Sequence, residues 1–196
     1  MGSISINPMV TTGASEAFNI SSDGYVQGTF LDDPAVRYQL EGGYVDTATV
    51  DVIWGGLPLT LAVPNIGAAA LGPSCSIADS AAVIDAWSLF NQAAAMVVTP
   101  SSQVPTATSG MSINFARAGS NMRIALPVAA AAISGLQGAE PNVALYWDFT
   151  NNNLATSGTG ILPVQLEFLS TTSKIVVWDG TNATWNYAGP CAIVRI

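Results

Sequence analysis

Asp148, Glu167 and Asp179 have the types and the company to do chemistry, because each acid adjoins an aromatic residue: Trp147, Phe168 and Trp178. Two carboxylates about 5 to 10 Å apart across an aromatic-walled cleft are what glycoside hydrolysis requires. The same residues have a plainer use, since a short carboxylate at a strand end accepts N–H groups from the turn that follows. Asp148 and Asp179 both stand in the pattern Trp-Asp-x-Thr-Asn, which has the composition of such a turn. The turn reading is preferred for all three acids, Glu167 included, and no catalytic residue is expected.

Other chemistries lack their residues. Histidine is absent, which removes Ser-His-Asp and Cys-His catalysis, nearly all zinc sites and the usual general base at neutral pH. Lys174, the one lysine, has no motif around it and is expected just before a strand in "TTSKIVVW". Asp32-Asp33 precedes Pro34 with no further acid nearby, so a calcium loop of six to eight oxygens is not expected. The segments "GGLPL" and "SGTGILP" lack the spacing and lysine of a phosphate loop. The sequons at Asn19 and Asn182 are too short to signify without an export signal. No metal and no cofactor is expected.

The elements that must position these residues read as strands. Short runs rich in β-branched and aromatic residues, "YVQGTFL", "VRYQL", "GYVDTATVDVIW" and "LPLTLAV", end at Gly, Pro or Asp. The second half continues with "MSINFARA", "MRIALPVAAAAI", "NVALYWDF", "LPVQLEFL", "SKIVVWD" and "CAIVRI", spaced as in sandwiches and barrels. "SINFARAGSNMRIAL" predicts a hairpin closed at Gly119-Ser120-Asn121. The two Trp-Asp turns predict adjacent strands, since a propeller would need more copies. Pro58, Pro127 and Pro163, near strand starts or within runs, predict edge positions or bulges. The Ala-rich stretch 77–96 predicts one short helix, with a strand pair as the competing reading. The expected fold is all-β: an antiparallel β-sandwich or barrel, jelly-roll-like, with at most one or two short helices. Residues 1–20 are expected to form an extended N-terminal arm, and 21–196 the β-rich domain.

Charged residues make up only 9% of the 196-residue chain while 49% is hydrophobic, and the net charge is −8. So uncharged an exterior implies burial against other subunits, and a homo-oligomer is expected. The five cations are scattered, which disfavours nucleic acid. No unbroken apolar stretch of about 18 residues occurs, so no membrane span is expected. The first residues lack a basic and an apolar signal region, so export is not expected and Cys75 and Cys191 are expected to be reduced.

Several words in order resemble the capsid cement, or decoration, proteins of tailed bacteriophages: "WSLFNQ" from Trp87, "TPSSQVP" from Thr99, "SINFARAGSNMRIALPV" from Ser112, "WDFTNNNL" from Trp147, "LPVQ" from Leu162 and the ending "GPCAIVRI". The resemblance covers roughly residues 75–196 and carries no catalytic residues over. It implies a β-sandwich or barrel on the outer face of a capsid, in a virion assembled in the host cytoplasm. Its partner would be the major capsid protein, whose neighbouring subunits it would bridge as a dimer or trimer. The arm, with Ile4, Ile6 and Met9, is expected to touch a neighbour by adding a strand. Trp185 and Tyr187, expected near a loop tip in "NATWNYAGP", are the other candidate contacts. A carbohydrate-binding or adhesin-like sandwich is the alternative, with Trp54, Trp87, Trp147, Trp178 or Trp185 stacking on sugar faces. A carboxylate hydrolase using Asp148 or Glu167 ranks third.

Overall fold

A five-stranded barrel is closed by β1 (Leu40–Val45), β2 (Pro58–Ala62), β3 (Ser74–Ile77), β4 (Ala86–Leu89) and β5 (Ser112–Arg117), in the order β1-β3-β2-β4-β5. This computed structural model describes residues 25–29, 40–46, 48, 52–64, 72–90 and 104–196. The arm over 1–20, with Ile4, Ile6 and Met9, and the Asp32-Asp33 turn lie outside the described residues. Barrel neighbours pair antiparallel except β1 and β3, which run parallel. At Gly43 a Cβ would stand 2.7 Å from the Pro73 carbonyl oxygen and 2.8 Å from the Cys75 sulfur, so the approach of β3 to β1 requires glycine.

A second sheet has the order β6-β10-β9, from β6 (Arg123–Pro127), β10 (Ala183–Arg195) and β9 (Gln165–Trp178), and β7 (Tyr146–Asp148) pairs with β8 (Asn153–Ala155). One short helix, α1 (Ile133–Leu136), follows a 3-10 turn at Ala130–Ala132. The all-β expectation holds, with the barrel as its central element. Pro127 lies on the edge strand β6 as expected, whereas Pro58 is corrected: it is the first residue of β2, a strand paired on both sides, where a missing N–H is tolerated.

The helix expected over 77–96 does not form in its described part. Ile77 ends β3, Ala81–Val83 makes a 3-10 turn, and Ala86–Leu89 is strand β4. Tertiary burial overrides alanine's helical preference. Ala86, Trp87, Ser88 and Leu89 are all buried between β2 and β5, a setting that a helix with one apolar face cannot satisfy. The Ser88 hydroxyl donates to the Trp54 carbonyl at 2.6 Å and accepts from the Leu57 N–H at 2.8 Å, so its burial leaves nothing unmet.

The hairpin expected at Gly119-Ser120-Asn121 is also corrected. A turn does join β5 to β6, with Asn121 at φ 63°, but the strands part into different sheets: β5 pairs with β1 and β4, β6 with β10. The Asn121 N–H donates to the Ile196 carbonyl at 2.7 Å, and this long-range bond draws β6 toward β10. The two Trp-Asp strands, β7 and β9, likewise belong to separate sheets rather than lying side by side.

The largest difference concerns β9 and β10. "LPVQLEFL" and "SKIVVWD", read as two strands, merge into one strand of 14 residues; "ATWNYAGP", read as a loop, is part of the 13-residue β10. The polar word "STTS" at 170–173 stays in the strand because threonine is a good β residue and the buried Ser173 hydroxyl accepts the Tyr25 N–H at 2.9 Å. Register shifts near Asn186, Gly189 and Ile193 mark bulges that bend the hairpin.

Barrel and sheet share one apolar core, from Leu59, Trp87 and Phe115 to Leu126, Leu166 and Val194. The tryptophans join its parts: Trp87 meets Trp147 edge-on at 5.1 Å, and Trp54 meets Trp178 at 5.3 Å. Residues 25–29 form a strap across the junction. The Gln27 N–H donates to the Lys174 carbonyl on β9, while the Gly28 N–H donates to the Ala125 carbonyl on β6. Gly28, at φ +73°, lies so close to the barrel that a Cβ would stand 2.3 Å from the Gly55 carbonyl carbon.

Candidate interaction surface on the long hairpin

The three acids singled out from sequence are each committed locally. Asp148 Oδ1 accepts the N–H groups of Thr150 at 2.8 Å and Asn151 at 3.1 Å, and Oδ2 accepts the Asn151 amide at 2.6 Å. Asp179 Oδ1 accepts those of Thr181 at 2.8 Å and Asn182 at 2.7 Å. Both carboxyls lie below the usual carboxylate range, Asp148 chiefly through the Asn151 side chain and Asp179 chiefly through the Asn182 backbone N–H. These are turn-forming acids, as their sequence context suggested. The turn reading of Glu167 is corrected: it lies inside β9, between two arginines, 2.7 Å from Arg195 Nε and 3.7 Å from Arg123 Nη1. Among the described residues no three His, Cys, Asp or Glu side chains gather into a metal-binding group.

The cysteines are separate and buried, and burial pushes both thiols up to about 12. Three of the five tryptophans, Trp54, Trp87 and Trp147, are almost fully buried, so they offer no stacking platform. Trp178 and Trp185 are half-buried, Trp178 against Trp54 and Trp185 against Phe90 at 5.3 Å.

Of the six large apolar side chains exposed among the described residues, three lie on the long hairpin and three, Val63, Val83 and Ile161, lie elsewhere. Phe168 is 52% exposed, Val177 44% and Tyr187 57%, against an almost fully buried core. Trp185 and Tyr187 do not lie near a loop tip, as sequence suggested, but inside β10; the tip is the Asp179–Asn182 turn. What brings these two together is Lys174, whose position before a strand is also corrected: it lies within β9. Its ammonium stands 4.2 Å from the Trp185 ring centre and 5.1 Å from that of Tyr187. Strand pairing sets this geometry, since Trp185 is opposite Val176 and the bulge beyond Asn186 swings Tyr187 toward Lys174.

No neighbouring motif marks Lys174 in the sequence. Its partners come from the antiparallel strand, a relation that only the register reveals. Desolvation lowers its pKa, and among the described residues no carboxylate pairs with it. The other described cations have acids: Arg117 holds Glu41 at 2.6 and 2.9 Å, and Arg123 and Arg195 share Glu167. At the far edge Tyr25 meets Phe168 edge-on at 5.7 Å, so the strap also borders this surface. The hairpin therefore presents exposed aromatic and apolar side chains, the Glu167–Arg195 ion pair, and Lys174 with no carboxylate paired to it among the described residues. Comparisons of the chain with protein-family models, with curated proteins and with solved structures find no match in any of the three.

Proposed function

We propose that the chain is a structural virion protein that decorates the outer surface of a tailed-phage capsid and stabilises it by bridging neighbouring major capsid subunits. The observation that carries the reading is the exposed Phe168, Val177 and Tyr187 on the long hairpin of a chain with only 9% charged residues. Charge depletion and aromatic enrichment mark the centres of protein interfaces. The ordered words resembling capsid cement proteins name the partner. The described sheet offers a rigid place for such contacts, because its core-facing side is built into the common core. A homo-oligomer at a local symmetry axis, with the N-terminal arm as a second contact, completes the proposal.

The mechanism is linkage. A protein that binds only the assembled, expanded shell stabilises that state by RT ln(1 + [L]/Kd) per site, about 2.7 kcal/mol when free protein is 100 times Kd. Repetition over a shell multiplies this term. The test mixes purified protein with expanded capsids that lack it, and measures bound copies and shell melting. Saturable binding with a raised melting temperature is expected; absence of saturable binding refutes the proposal. Deleting residues 1–18 tests the arm, and full retention of binding would remove it as an anchor.

A further inference from the structure

The hairpin surface contains an arrangement that composition alone does not require. In a chain of 13 acids and five cations, Lys174 is held against two aromatic faces, away from any described carboxylate. Trp185 is anchored behind it by Phe90, and Tyr187 stands 57% exposed beside it. Aromatic faces attract an ammonium but supply no oxygen acceptor, so its N–H donors find no anionic oxygen here. A carboxylate arriving from outside would add a charge-assisted hydrogen bond in a site already shielded by rings. Tryptophan and tyrosine around a desolvated charge are also the composition of interface hot spots.

We propose that Lys174, framed by Trp185 and Tyr187, is the receptor for an acidic side chain of a protein partner. This rests on the decoration reading, in which the acid belongs to a major capsid subunit. Charge complementarity selects the partner's chemistry: a chain of net charge −8 presents a cation to an acid at this point and repels acids over most of its remaining surface.

The experiment measures binding of wild type, Lys174→Gln, Lys174→Arg and Tyr187→Ala to expanded capsids lacking the protein, at low and moderate salt. Lys174→Gln is expected to raise Kd at least about tenfold and to flatten the salt dependence, while Lys174→Arg retains most of the affinity. Tyr187→Ala is expected to weaken binding less. Melting temperatures of the free variants separate lost contact from lost fold. Wild type that binds no capsid overturns the decoration reading itself. Wild type that binds, with Lys174→Gln folded and equally tight, overturns the Lys174 site alone.

Discussion

Replacing Gln27 by methionine tests the role of the strap. The fully buried Gln27 side chain donates from Nε2 to the Gly55 carbonyl at 3.1 Å and accepts the Val176 N–H on Oε1 at 2.8 Å. One amide thus joins the barrel to β9. Methionine has nearly the same length and volume, so Gln27→Met removes the two hydrogen bonds without opening a large cavity. Each buried group left without its partner costs about 1–3 kcal/mol, and the half-buried Val176 recovers part of its share from water. The net loss is about 2–4 kcal/mol, and at about 2–4 °C per kcal/mol for a domain of this size Tm falls by roughly 4–16 °C. Calorimetry or thermal circular dichroism reads the shift, and urea titration at unchanged m-value confirms that stability has changed. A fall below about 2 °C would refute the claim that this amide couples barrel to sheet.

Gly28→Ala should be more damaging than Gln27→Met, because its Cβ would stand 2.3 Å from Gly55 in a left-handed conformation; soluble expression at wild-type Tm would contradict the described strap. Ser88→Ala should cost about 1–3 kcal/mol by denaturant titration, since it strips the partner from the buried Leu57 N–H. For Asp148, hydrogen bonds to the ionised form depress the folded pKa, so its stabilising effect is complete above the unfolded value of about 4 and lost as pH falls through the folded one. The Tm difference between wild type and Asp148→Ala should therefore be present at neutral pH and shrink in acid; a pH-independent difference would disprove the turn-capping role of the charge. Cys75 and Cys191 should resist a thiol reagent in the native protein and react on unfolding, because burial holds both thiols neutral up to about 12.

Local chemistry was legible along the chain wherever one short segment satisfies its own groups. The Asp148 and Asp179 turns are such cases, because acceptor and donors lie within three residues of each other. The runs "LPLTLAV", "MSINFARA" and "CAIVRI" form strands as expected, whereas "YVQGTFL" gives in its described part the strap at 25–29, with an isolated bridge from Val26 to Lys174 in place of a strand. The 77–96 stretch misled because alanine fits both a helix and a tightly packed strand, and only the neighbours β2 and β5 decide between them. "ATWNYAGP" misled because Asn, Gly and Pro signal a loop, yet here they accompany bulges inside a long strand.

The sequence by itself determined the class of the fold, the turn-forming work of Asp148 and Asp179 and the sparsely charged exterior, because these follow from residue type and nearest neighbours. Tertiary structure alone decided that β5 and β6 separate into different sheets, that Gln27 joins the turn before β2 to β9, and that Lys174 meets Trp185 and Tyr187. Each of these depends on strand pairing between residues far apart in the chain. A one-residue shift of register would turn the side chains to the opposite face, so their meeting is a property of the folded sheet.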